Sequence, residues 1–308
     1  VKPTPQARST AIGVIEGGSV SIYLPNGSTM SLGKVSNASG IQNGQPVIVS
    51  AARDSFTVSR LPDKRAPGSF DLNKLKLGDL TVSSSVRIYE QVQGGNVTAV
   101  SRGDLAMETI PVDQIASYHV NSANIVDYII LTNVTGSAYI YGMMVGGYVS
   151  EPVTGDSWTS DDKDDKDDKD DEPKTQERYT WRLRRSGEDI EFSSATSYRG
   201  SSGDMVGVVV GKDRKGSNTI KEVVKLTAVK AEGSDFFESQ GETYVTVKGQ
   251  TYRISSGVEC YYNRTGNKVA KENWLTDANR LDAIQTYSDS FTLYVDPIGQ
   301  QVRIIMAN

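Results

Sequence analysis

Residues 12–21, IGVIEGGSVS, return at 141–150 as YGMMVGGYVS without a gap. A chain that repeats itself must find one fold twice, so this constrains the architecture more than any local pattern. Gly13/Gly142, Gly17/Gly146, Gly18/Gly147, Val20/Val149 and Ser21/Ser150 are identical at an offset of 129. A second block, VSSSVRIYEQVQGGNV at 82–97, aligns with ISSGVECYYNRTGNKV at 254–269, an offset of 172. Val86/Val258, Tyr89/Tyr261 and Gly94/Gly266 are among its identities. A third, ILTNVTGSAYIY at 130–141 against LYVDPIGQQVRI at 293–304, agrees in pattern only, at an offset of 163. The blocks keep their order, which predicts a tandem repeat.

Each block alternates with period two about a turn, the mark of a hairpin. Val86 and Ile88, then Val97, flank Gly94-Gly95. Phe291, Leu293 and Val295 precede Pro297 and Gly299, and Val302 and Ile304 follow. Helical patterning is sparse: 104–117 and 268–284 have room for a turn or two and no long stripe. The expected fold is all-β, a tandem repeat of small barrel- or sandwich-like units with little helix. Residues 1–9 read as an extended lead-in. The units are placed at 10–75, 76–141, 142–240 (with an acidic hairpin insertion at about 151–177) and 241–308. Units this small are marginal alone, so packed or strand-sharing pairs are expected.

The chain holds one cysteine and one histidine. An internal disulfide is excluded, the usual Cys/His zinc sets cannot be assembled, and a nucleophile relay would need His119 alone. Cys260 aligns with Ile88, which predicts a small buried hydrophobe. His119, in SYHVNSAN, is expected to be solvated or structurally hydrogen-bonded. The Gly17-Gly18 and Gly94-Gly95 pairs lie between alternating strands and read as turns rather than phosphate loops. Glu188 and Asp189 form a carboxylate pair of the kind common in exposed turns, and no nucleophile elbow or metalloprotease motif occurs. An enzyme is not expected.

The formal net charge is −5. Asp161–Glu172 alone carries nine acids and three lysines, −6, so the remainder is −5 − (−6) = +1. That balance is no nucleic-acid footprint. No apolar run approaches the roughly 20 residues of a membrane span. The chain begins at Val1 with no charged, apolar leader, which reads as a mature chain or an excised fragment. The period-three run DDKDDKDDKDD falls where the first copy makes a tight turn, so it reads as an expanded, solvated connection. Its rival is a weak calcium site on Asp161, Asp162, Asp164, Asp165, Asp167, Asp168, Asp170 and Asp171, hard oxygen ligands without an established calcium-loop spacing. No other cofactor is expected.

The closing hairpin LYVDPIGQQVRIIM and the strands YGMMVGG and YTWRL resemble the C-terminal β-repeat region of Firmicutes surface proteins that carry S-layer homology domains. The likeness covers most of 80–308, and 10–80 through the repeat; the S-layer homology motif itself is absent. The resemblance implies a secreted chain at the cell surface or wall. The implied role is a structural or spacer segment, whose partners are its own copies or other envelope components. The alternative is a module binding carbohydrate or a host protein on an exposed platform of Tyr179, Trp181 and Tyr262. Whether these rings are exposed or buried separates the two.

Overall fold

A computed structural model describes residues 10–16, 18–24, 29–35, 40–52, 55–61, 65–146, 151–153, 176–212, 217–263, 273–276 and 279–308. The lead-in 1–9 and the acidic run lie outside these residues.

The described chain is all-β, in four successive sheets with one α-helix. The first sheet holds β1 (Thr10–Glu16), β2 (Ser19–Tyr23), β3 (Thr29–Lys34), β4 (Pro46–Ala52) and β5 (Ser55–Arg60). The second holds β6 (Phe70–Asp71), β7 (Lys76–Leu77), β8 (Leu80–Glu90), β9 (Thr98–Val100), β10 (Thr109–Ile110), β11 (Ile115–Val120) and β12 (Ile125–Leu131). The third holds β13 (Ile140–Met144), β14 (Glu151–Val153), β15 (Gln176–Arg185), β16 (Glu188–Ser194), β17 (Met205–Lys212) and β18 (Asn218–Lys225). The fourth holds β19 (Thr227–Glu232), β20 (Phe236–Ser239), β21 (Glu242–Val247), β22 (Gln250–Tyr262), α1 (Arg280–Tyr287), β23 (Ser290–Val295) and β24 (Gln301–Ala307).

One order of pairing recurs in all four sheets, and it closes into a ring in three. In the third sheet β15 pairs with β13 and β16, β13 with β17, and β17 with β18. A parallel contact, Ser193 to Thr219, joins β16 to β18 and closes a five-stranded ring. The first sheet has the same order, β3-β2-β1-β4-β5, but no β3–β5 pairing among the described residues, so it is a half-barrel. In the fourth sheet, β19 and β20 are halves of one strand kinked by a 3-10 turn at Gly233–Asp235, pairing with β23 and β21 respectively. In the second, the kink is at Val112–Gln114, between β10 on β6 and β11 on β12. Numbered within each sheet, the order is 3-2-1-4-5 in the open first sheet and closes as 1-2-3-5-4-1 in the other three, with strands three and five parallel wherever they meet. That is the Greek-key strand order of the OB barrel, which many unrelated activities share.

The second and fourth barrels agree in detail. Against β12, β8 pairs at Thr81–Val82 and resumes at Arg87, while the partner advances only from Val126 to Tyr128. Against β24, β22 pairs at Arg253–Ile254 and resumes at Glu259, while the partner advances from Val302 to Ile304. The two strand interruptions therefore sit at the same residues under the offset of 172. The offset of 163 at 130–141 does not hold: that segment leaves β12 and enters β13, whereas 293–304 is the β23–β24 hairpin. The structural partner of β12 is β24, at an offset of 176. The sheet limits also differ from the expected units, since Phe70–Asp71 belongs to the second sheet and Thr227–Ser239 to the fourth.

Turn chemistry sets the hairpin registers. Ser186-Gly187, Gln240-Gly241 and Lys248-Gly249 each have positive φ at both residues, the two-residue turn whose twist matches the flanking strands. Gly13 and Gly142 serve closeness instead. A Cβ there would lie 2.6 Å from the Ser21 carbonyl oxygen and 2.5 Å from that of Arg184, the matching neighbours in the two copies.

Strands turn their second faces toward one another between barrels. Ile12, Val14, Tyr89, Tyr128 and Ile130 form one core between the first and second sheets. Tyr141, Met143, Tyr261, Ile304 and Met306 hold the same places between the third and fourth, at offsets of 129, 172 and 176. Tyr89 and Tyr261 are 2% and 0% exposed. Burying such a ring removes roughly 150–250 Å² from water, an upper-bound gain of about 4–6 kcal/mol before entropy. Double use explains why β24 is buried along its whole length: one face fills its own barrel and the other fills the junction.

Among the described residues, helix is confined to α1 and short 3-10 turns such as Arg102–Asp104 and Val112–Gln114. No helix among them is long and apolar enough to cross a membrane.

Candidate functional site: a cleft among three barrels and the buried junctions behind it

The turn after β8 reaches across to the third barrel. Gln93 and Gly94 take positive φ, and the Gly95 amide donates to the Val92 carbonyl at 2.8 Å. Gly95 cannot carry a side chain here, because a Cβ would lie 2.3 Å from Cγ1 of Val209. The Asn96 amide then donates to the Val210 carbonyl at 2.7 Å. Gln91 ties in the first barrel, donating from Nε2 to the carbonyls of Gly44 (3.1 Å) and Gly95 (2.8 Å).

These three elements frame a cleft of about 800 Å³, lined by residues 41–46, Gln91, Gln93, Gly94, Lys212 and Lys221. Lys212 ends β17. Lys221 is the extra residue of a bulge, since pairing steps from Val209–Glu222 to Val210–Ile220 and skips it. A bulge re-aims the side chain it carries. The lysine stem crosses Gly211, whose Cβ position would be 2.9 Å from Cε of Lys221 and 3.0 Å from the Gly94 carbonyl oxygen.

Behind the cleft lies a buried polar junction. Glu90, 0% exposed, ends β8 and gathers the connection to the third barrel. It accepts from the amides of Val134 (2.6 Å), Thr135 (2.9 Å) and Ser137 (3.1 Å), and from the Thr135 hydroxyl. From the fourth barrel, Arg303 donates Nη2 to the Thr135 carbonyl and Nε to Oδ2 of Asp296, both at 2.6 Å. Its guanidinium lies 4.7 Å from the centre of the Tyr141 ring, and the Tyr141 hydroxyl donates to the Gly136 carbonyl at 2.7 Å. Burial pushes the Tyr141 phenol well above its ordinary value, with Arg303 opposing and Asp296 and Glu90 adding. Tyr139 is raised by burial and by Glu222, Glu90 and Asp296 around it. Both rings therefore stay neutral hydrogen-bond donors.

Glu259 performs a similar task between the third and fourth barrels. It is 1% exposed and accepts from the amide and hydroxyl of Ser186, both at 2.8 Å, and from Arg185 at 3.1 Å. Arg253 bridges the second and fourth barrels, donating to Asp104 at 2.8 Å and Glu242 at 2.5 Å. Burial opposes the charge on Asp104, but Ser101 and Arg253 hold its carboxyl below the usual range.

The residues singled out from sequence are dispersed. Trp181 is 3% exposed in the third barrel, with Nε1 donating to the Thr196 carbonyl at 3.0 Å and its ring edge-on to Tyr198. Tyr179 packs half-buried against that core. Tyr262 is 8% exposed in the fourth barrel and donates to the Ala283 carbonyl at 3.0 Å. An exposed platform of these three residues is thus corrected: the rings fill barrel interiors, where alternation placed them inward. Cys260 is fully buried, opposite Ile305, as Ile88 is opposite Ile129. Burial pushes its thiol up to about 12, with Arg280 opposing and Glu259 adding. His119 meets Asp127 at 2.6 Å through Nδ1, both about one-fifth exposed. The eight candidate calcium ligands lie outside the described residues. Among the described residues, no group of three or more His, Cys, Asp or Glu is placed to hold a metal ion.

Sequence reasoning missed Glu90, Glu259, Asp296 and Arg303. Their signal was a single charged residue inside an apolar strand, as in RIYEQV, VECYY and QVRIIM, or at its end in YVDP.

No family model, curated protein or solved structure matches the chain.

Proposed function

We propose that the chain is a structural segment of a bacterial cell-surface protein, a spacer that holds barrels in fixed relation, rather than an enzyme. The observation that carries this reading is the way barrels are joined. Two equivalent apolar cores and three sets of buried or half-buried charges fix neighbouring barrels to one another. Domains within one chain move relative to one another by default unless the interface is large and hydrophobic. These interfaces are hydrophobic at their centres. The same strand order four times over, closed in three of the sheets, and matching junctions at fixed offsets support a tandem origin. The likeness of LYVDPIGQQVRIIM and YGMMVGG to surface-protein repeats supplies the location. Burial of Trp181 and Tyr262 favours a scaffold over aromatic capture of a sugar or host protein at those residues.

The location is tested on intact cells of the source bacterium. An antibody raised against the folded chain is expected to label unpermeabilised cells, and protease added outside is expected to remove the label. Labelling only after lysis would contradict the surface reading.

A further inference from the structure

We propose that the cleft among the first three barrels binds an acidic, hydroxyl-rich ligand, a short stretch of uronate-bearing polysaccharide. Its volume of about 800 Å³ is within the range of small-molecule sites, roughly 300–1,000 Å³. Among the described residues, the lining carries two positive charges, Lys212 and Lys221, and no carboxylate. Among the described residues neither lysine makes an ion pair, although the chain as a whole is negative.

The lysines are placed by the backbone rather than scattered on a surface. Lys221 exists as a cleft residue because the bulge in β18 releases it from pairing. Gly211 lets its stem cross the strand beside Lys212, and Gly94 of the second barrel closes the same spot. Both lysines therefore line the same cleft, where an anion would meet two positive charges. The remaining polar lining is amide: Gln42, Asn43, Gln45 and Gln93, together with Oε1 of Gln91, whose Nε2 is held by the Gly44 and Gly95 carbonyls. An amide side chain offers a donor and an acceptor side by side, which suits vicinal hydroxyls. Among the described residues, no aromatic ring lines the cleft. A nucleobase or a neutral sugar would find no stacking surface there, so charge and hydrogen bonds must carry recognition. A chain of carboxylated sugar rings meets both demands. This site is independent of the spacer reading.

The test titrates the intact chain with trigalacturonate by calorimetry at low salt, beside maltotriose and a short oligothymidylate. Trigalacturonate is expected to bind, and to weaken as salt rises. The K212E/K221E variant is expected to lose about tenfold or more in affinity while its unfolding midpoint is unchanged. The K212R/K221R variant keeps the charge and is expected to retain binding. Equal affinity for maltotriose, tighter binding of the oligonucleotide, undiminished binding by K212E/K221E, or no heat with millimolar trigalacturonate would each overturn the proposal. A K212E/K221E variant with an altered midpoint is replaced by the single K221E, in which the exposed bulge residue alone changes; unreduced binding there overturns it equally.

Discussion

Arg303→Ala is expected to destabilise the chain by about 3–5 kcal/mol, the range for removing one partner of a buried ion pair. Asp296 is 0% exposed and Arg303 6%. The arginine holds Oδ2 of Asp296 at 2.6 Å, the Thr135 carbonyl at 2.6 Å and the Ser255 hydroxyl at 3.1 Å. Alanine would leave a buried carboxylate facing a buried carbonyl, with the Tyr141 ring losing its cation. Oδ1 keeps the amides of Ile298 and Gly299, so the DPIG turn itself is expected to survive. The double variant Arg303→Met/Asp296→Asn removes both charges and is expected to recover part of the loss, since the penalty is mainly the orphaned carboxylate. Urea midpoints at unchanged slope measure it. A loss under about 1 kcal/mol for the single variant would mean that the junction is wetter than its geometry implies.

Glu259→Ala comes next, at about 3 kcal/mol. It strands the Ser186 amide and hydroxyl and leaves Arg280, 3.9 Å away, without its carboxylate. Arg185 is one-third exposed, so its share is small. At the matching place in the first copy stands Arg87, 6.0 Å from the Tyr128 ring, so the Glu259 contact belongs to the second pair of barrels alone. Glu259→Gln retains an acceptor and is expected to lose less. Hydrogen exchange should quicken at Ser186-Gly187 in the alanine variant; unchanged exchange and an unchanged midpoint would contradict the assignment.

Strand content and the places of Tyr89 and Tyr261 were legible because burial on two faces leaves few residues free to vary. Ile88 and Cys260, at one inward position, show the same logic. What alternation could not tell is which sheet a strand joins. ILTNVTGSAYIY reads like a hairpin, yet its two halves enter different barrels, with Glu90 holding the connection between them. Nor could it see a strand kinked by a 3-10 turn, as at Gly233–Asp235, so Thr227–Ser239 was assigned to the wrong neighbour. Aromatic type alone carries no sign of exposure; the period-two spacing of Trp181 with Leu183 and of Tyr262 with Cys260 was the sign that these rings face inward. The cleft was hidden for another reason. Its lining comes from three barrels, and Lys221 faces it only because one residue of β18 drops out of register.

The central claim is that buried junctions make the barrels fold and unfold as one body. Hydrogen-exchange mass spectrometry along a urea gradient tests it most directly, following peptides from β8, β17, β22 and β24 together. The account predicts one shared midpoint for all four strands. Staggered midpoints, barrel by barrel, would contradict it.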